Sequence, residues 1–293
     1  MLPTSVVSFL QRHRKLGGLA LRCVPDIRHR IKIEHIGPFD IRLRRNRSLW
    51  IRSPLLIEGQ MLGYLQRLVR PGDVVYDIGA NVGLYTRFAA QFGAGRTFAF
   101  EPMAANIELL RRNVDLALDA AAKIEVMELA VSDRDGEELL QVDDVMSATA
   151  TLDRVRSGEP SEGHQLYGLA PKTERVRVAK LDTLVFERGL PPPQVMKIDI
   201  EGAEGMAMRG ARRVLAEHRP AIAMELHNAE VSREVLSILG ENAYSVFAYV
   251  REGKGKPRYR SVPTNEPELL QPYDYIVAST EPARLEEAIL PLS

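Results

Sequence analysis

The chain has 293 residues, 45% of them hydrophobic, and its 39 basic and 39 acidic side chains cancel to a formal net charge of zero. That length and balance suit a folded globule with a full core. A lone cysteine, Cys23, excludes an internal disulfide. No stretch approaches the roughly 20 uninterrupted apolar residues of a membrane span, so the expectation is a soluble, cytoplasmic protein.

Charge is unevenly spread. Met1 to Arg52 carries 12 Lys/Arg against 3 Asp/Glu, leaving an acidic body. The opening MLPTSVVSFLQRHRKLGG puts its charges after a short apolar stretch, an order that argues against a signal peptide. IKIEHIGPFDIRLRR then alternates like a hairpin with its charges toward solvent. Residues 1–54 therefore read as a basic extension, a hairpin and helix packed on a core formed by 55–293.

From Asp73 onward, apolar runs alternate with helical patterns, as in βαβ units of a parallel sheet. The predicted strands are Val74–Ile78, Thr97–Phe100, Lys123–Leu129, Val195–Ile200 and Ala221–Leu226, followed by Ser245–Val250 and Tyr273–Ser279, which close the sheet with an antiparallel strand. Helices are predicted near Val82–Phe92, Ala104–Leu118, Ala203–Glu217 and Ser232–Gly240. The fold class is α/β, a doubly wound, seven-stranded, mostly parallel sheet. Residues 145–171, rich in Ser, Thr, Gly and charge, read as a lid or substrate loop, and 251–272 reads as a loop.

VVYDIGANVGLYT ends its strand at Asp77 and turns through Gly79, Asn81 and Gly83. A dinucleotide site places G-x-G-x-x-G at such a turn. Counted from Gly79, the second and third glycine positions hold Asn81 and Leu84, and Asp77 would repel a pyrophosphate. A ligand with a cationic end suits the turn better: S-adenosylmethionine carries an ammonium and a sulfonium and no phosphate. Glu101, at the end of TFAFEP, is placed to accept hydrogen bonds from a ribose hydroxyl pair.

VVYDIGANVGLYT, FAFEP with NIELLRRNV, LAVSDRDG, VRVAKLDTL and MKIDIEGAE, in that order from Val74 to Glu225, resemble the FkbM family of class I S-adenosylmethionine-dependent methyltransferases. The resemblance implies a Rossmann-like fold and methylation of an oxygen on a sugar or natural product. It also places Ser132 and Asp133, in the turn after the third strand, near the adenine, although SDRDG reads equally as a plain turn.

Methyl transfer is an in-line displacement that depends on positioning, and a hydroxyl acceptor gains from a base or a metal. Asp199 ends the fourth strand, and AMELHN places Glu225 and His227 two residues apart on its neighbour. Adjacent strands lie about 4.8 Å apart, so the three are expected to converge. Two roles stay open: His227 or Asp199 as general base, or Asp199, Glu225 and His227 as ligands of Mg²⁺, Mn²⁺ or Zn²⁺. Glu201 is a second-rank site residue, and Glu204 reads as a first-turn helix charge. Lys197 reads equally as an ion-pair partner of these acids.

The acceptor is read as a saccharide or secondary metabolite. The basic front also suits an anionic acceptor, a peripheral membrane surface or RNA. The Asp/Asn-Pro-Pro-aromatic turn of exocyclic-amine methylating enzymes is replaced by Asp199-Ile200-Glu201-Gly202, which disfavours a nucleic-acid base. A non-catalytic cofactor-binding scaffold is the alternative of another class, and oligomeric state is unread.

Overall fold

The computed structural model describes residues 25–51, 59–143, 150–156, 159, 164–165, 170–250 and 258–289. The chain opens with the hairpin β1 (Arg28–Ile33) and β2 (Gly37–Arg42), turning through His35 at φ 70°. Its inward side chains, Ile33, Phe39 and Ile41, are buried, as the alternation predicts. One helical turn (Ser48–Ile51) leads toward α1 (Gly59–Leu68).

Next come β3 (Val74–Ile78), α2 (Leu84–Gln91), β4 (Arg96–Phe100), α3 (Ala104–Asp115) and β5 (Ile124–Met127). The chain then leaves the main sheet for β6 (Ala130–Val131), β7 (Gly136–Gln141), β8 (Thr151–Leu152) and β9 (Thr173–Ala179), which form a second sheet ordered β6-β9-β7-β8. It returns as β10 (Val195–Ile198), α4 (Glu204–Arg209), α5 (Arg212–His218), β11 (Ala221–Leu226) and α6 (Ala229–Glu241). β12 (Ser245–Val250), β13 (Arg258–Ser261), β14 (Asp274–Ser279) and α7 (Pro282–Ile289) finish it.

The main sheet is ordered β13-β12-β14-β11-β10-β3-β4-β5, with β3, β4, β5, β10 and β11 paired in parallel and β14, β12 and β13 added by successive antiparallel pairings. This is a doubly wound α/β sheet of the class I methyltransferase type, and all seven predicted strands are in it. An eighth, β13, adds to the edge. It lies inside the segment read as a loop, because Gly and Lys composition hid the short run Arg258–Ser261.

The central strands are covered on both faces and read as near-continuous apolar runs for that reason. Tyr76, Ile78, Met196, Ile198, Ile222 and Met224 face one core with α4, α5 and α6. Val75, Val195 and Ala223 face the other, with α1, α2 and the hairpin.

The single helix predicted over Ala203–Glu217 is two. At Gly210 a Cβ would lie 1.9 Å from the Ser132 carbonyl oxygen, so the backbone passes the second sheet too closely for a side chain. Asp182 restarts the helix by accepting from the N–H groups of Arg213 and Val214 at 3.0 and 2.9 Å. No helix among the described residues is long and apolar enough to cross a membrane. Much of the predicted lid (145–149, 157–158, 160–163 and 166–169) lies outside the described residues, as do 1–24.

Candidate functional site

The chain runs outward from β3 through β4 to β5, then crosses to the other side of β3 at β10. Ligands of open α/β sheets bind outside the strand carboxyl ends at such a switch point. A cavity of about 310 Å³ lies there, walled by the turn after β3, the ends of β4 and β10, and residues from the hairpin side and the second sheet.

The glycine turn is shaped by close approach. Gly79 has φ 79°, and a Cβ there would sit 1.9 Å from the Asp199 carbonyl oxygen. Its N–H and that of Ala80 both donate to the Phe100 carbonyl, at 3.0 and 2.9 Å. Asn81 (φ 50°) and Gly83 (φ 90°) complete a left-handed curl into α2.

Glu101 fastens this turn to β4. Its carboxylate accepts from Asn81 N and Met103 N, each at 2.9 Å, and from Asn106 Nδ2 at 3.3 Å. Burial pushes its carboxyl up to about 7, against the opposing pull of those donors. Gly79, Asn81 and Glu101 line the cavity, where the sequence places them; Gly83 lies behind, packed against Leu110.

Asp77 does not line the cavity. It is buried beneath the turn, accepts from Thr86 Oγ1 at 2.5 Å and faces Lys197 Nζ at 3.2 Å. Lys197 also donates to the Gly79 carbonyl at 2.7 Å, stands 3.8 Å from Asp199 Oδ2, and lies over the Tyr85 ring. The geometry therefore gives Asp77 a role in building the turn, with its charge answered by a buried lysine.

Ser132 and Asp133 also stand outside the cavity wall. Asp133 binds Arg154 and Arg209 at 2.9 and 2.8 Å. Burial opposes its charge, and the two guanidiniums outweigh that and hold the carboxyl down to about 2. Arg154 Nη2 also donates to Ser132 Oγ and Nε to Glu138, at 3.1 and 2.7 Å. These contacts fasten residues 150–156, whose Ala150, Thr151 and Leu152 line the cavity. The cavity wall on the second-sheet side is apolar, formed by Leu129, Ala130, Val131 and Leu140.

Beyond β10, Asp199, Glu201 and His227 bring one ligand-type atom each within 4.8 Å of one another. Glu225 lines the cavity but stands outside this group, so Glu201 takes the place the sequence reading gave it. The reason is local: β11 ends at Leu226, and the alternation that would align Glu225 with His227 ends with it. Glu201 is carried round by a left-handed turn, at φ 57° with Gly202 at φ 100°.

Glu204 is the residue whose role the sequence concealed. Its side chain is fully buried rather than a solvated helix charge. Oε1 accepts from the N–H groups of Ile200 and Gly202 at 3.2 and 3.1 Å and from His227 Nδ1 at 2.8 Å. Burial alone would lower the His227 imidazole, but the carboxylates of Glu201 and Glu204 outweigh it and push it up to about 12. Nδ1 is thus engaged with Glu204 while Nε2 faces Asp199 and Glu201, surroundings that favour the protonated ring and weaken the general-base role the sequence allowed.

The hairpin side adds Arg45, Asn46, Ser48 and Leu49 to the wall. Nothing in their sequence pattern singled them out beyond the basic run. Arg45 is held by Asp26 at 2.9 Å.

The Methyltransferase FkbM domain model matches residues 77–246. The 31-O-demethyl-FK506 methyltransferase FkbM of Streptomyces tacrolimicus is 28% identical over 199 residues, covering 61% of this chain and 75% of that protein. The AMB antimetabolite synthetase AmbE of Pseudomonas aeruginosa is 27% identical over 184 residues, 54% of this chain but only 8% of that protein. Among solved structures, the methyltransferase FkbM from Methylobacillus flagellatus KT matches 77% of this chain and 60% of its own at 14% identity and a TM-score of 0.44. An O-methyltransferase from Bacillus cereus in complex with SAH matches 78% and 82% at 14% identity and a TM-score of 0.43. The matching family model spans more than half of the sequence and begins at the aspartate of the glycine turn: the chain belongs to the FkbM methyltransferase family.

Proposed function

We propose that the protein is an S-adenosylmethionine-dependent O-methyltransferase acting on a hydroxyl of a saccharide or secondary metabolite. The observation that carries this reading is one cavity with Glu101 at one end and Asp199, Glu201 and Glu225 at the other, joined by the glycine turn.

The residues fit that cofactor. Glu101 would accept from the ribose hydroxyls, the turn from Gly79 to Gly83 would curl under the amino-acid portion, and the apolar wall of Leu129, Val131 and Leu140 would receive the adenine. Bound S-adenosylmethionine supplies an activated methyl group on a sulfonium. The acidic end would receive the acceptor, and its carboxylates would favour loss of the hydroxyl proton to solvent as the oxygen takes the methyl group. Lys197 and the His227–Glu204 pair hold that carboxylate region in place.

The test is transfer of labelled methyl from S-adenosylmethionine into fractionated cell extract. Label in saccharides or small metabolites, resistant to mild base as an ether is and an ester is not, supports the reading. Label in RNA overturns the acceptor class. Cofactor binding with no label in any fraction favours a scaffold.

A further inference from the structure

We infer that Asp199, Glu201 and His227 form a divalent-cation site, with Glu204 as its outer partner, beside the acceptor end of the cavity. The inference rests on the methyltransferase reading for its purpose but not for its geometry.

His227 Nε2 stands 3.5 Å from Glu201 Oε2 and 3.7 Å from Asp199 Oδ1. The Glu201 contact is a long hydrogen bond, and the Asp199 contact lies beyond hydrogen-bond distance. Both separations are close to what a shared ion requires: ligand atoms about 2.1 Å from one metal, at tetrahedral or octahedral angles, lie about 3.0–3.5 Å apart. A small rotation of each carboxylate closes the difference.

The ring is also oriented as a ligand. A metal-binding histidine gives its other nitrogen to a carboxylate, which fixes the tautomer and aims the free nitrogen. Here Nδ1 is held by Glu204 at 2.8 Å, which leaves Nε2 turned toward Asp199 and Glu201. Glu204 is wholly buried, and its second oxygen, Oε2, has no hydrogen-bond partner. A buried carboxylate with half its acceptor capacity unused is costly unless a cation answers its charge.

Charge points the same way. The cavity wall carries the carboxylates of Glu101, Asp199, Glu201 and Glu225 against the guanidinium of Arg45, which already binds Asp26, and the ammonium of Lys197, which stands 3.8 Å from Asp199 but closer, at 3.2 Å, to Asp77. Two carboxylates and one imidazole suit Mn²⁺ or Zn²⁺ rather than the all-oxygen cages of Ca²⁺.

The experiment is titration of the full chain with Mn²⁺, reading free ion by electron paramagnetic resonance. One ion per chain is expected. Asp199→Asn and Glu201→Gln, which keep size and shape, should each weaken binding more than a hundredfold. Glu204→Gln should weaken it by about 10- to 100-fold. Glu241→Gln, at the exposed end of α6 where it pairs with Arg212, should leave it unchanged. Circular dichroism confirms that each variant is folded, and any variant that unfolds is replaced by competition with Zn²⁺ on the wild-type chain. No bound Mn²⁺ and no Zn²⁺ competition, or binding indifferent to Asp199→Asn and Glu201→Gln, overturns the site. Methyl transfer undiminished in chelator would then leave the methyltransferase reading standing alone, whereas Mn²⁺ bound without any transfer would uphold the site and count against that reading.

Discussion

Lys197 and Asp77 meet across adjacent strands, Nζ 3.2 Å from Oδ1, with both side chains shut off from solvent. Register makes this inevitable, since β10 pairs with β3 in parallel and sets residue 197 beside residue 77. Breaking one partner strands a buried charge, at about 3–5 kcal/mol. Lys197→Met should lose that much unfolding free energy in urea, and Asp77→Asn combined with Lys197→Met should recover part of it. A single-variant loss below about 1 kcal/mol would show that the pair is not structural.

Glu101 makes stability depend on pH. Its carboxyl is at about 7 when folded, against 4.5 as its ordinary value. Between those values the folded chain binds more protons than the unfolded one, so stability falls as pH rises through that window and levels off above it. The effect amounts to about 3 kcal/mol at most. The difference in unfolding free energy between wild type and Glu101→Gln should trace this curve.

Cofactor affinity runs in the opposite sense at the same residue. The ionised carboxylate accepts more strongly from ribose hydroxyls, so S-adenosylhomocysteine should bind more tightly as pH rises through about 7 in the wild type. Calorimetry on Glu101→Gln should show weaker binding with no such trend.

Gly79→Ala should abolish cofactor binding. The new Cβ falls 1.9 Å from the Asp199 carbonyl oxygen, a backbone atom that cannot swing away. Gly59→Ala is the control: nothing lies within 4 Å of its Cβ, and binding should be unchanged.

Arg154→Ala should loosen the segment 150–156 from the cavity. It removes charge-assisted bonds to Glu138 and Asp133, each worth about 1.5–3 kcal/mol. Stopped-flow release of S-adenosylhomocysteine should accelerate about tenfold or more.

What the sequence made legible was whatever local pattern determines. Val74–Ile78 reads as a buried parallel strand because both its faces are covered, and the turn after it reads from Gly79, whose conformation no other residue tolerates cheaply. Glu204 was hidden by the same kind of rule: an acid in a helix's first turn has a sufficient local explanation, and only tertiary packing reveals that it is buried against His227. Ser132 and Asp133 were assigned by position along the fold, whereas their partners Arg154 and Arg209 come from segments that no spacing connects to them. Glu201 displaced Glu225 because a left-handed turn, invisible in composition, decides where the chain points after β10.

Asn113, fully buried on α3, accepts the Asp40 N–H at 2.7 Å and donates to the carbonyls of Asp40 and Val82 at 2.9 and 2.8 Å. One amide thus stitches the hairpin to the glycine turn after β3. An engineer exchanging front segments between relatives to alter acceptor choice would have to carry Asn113 with the graft, since a breakpoint between Val82 and Leu110 separates it from the Asp40 N–H and from the Asp40 and Val82 carbonyls.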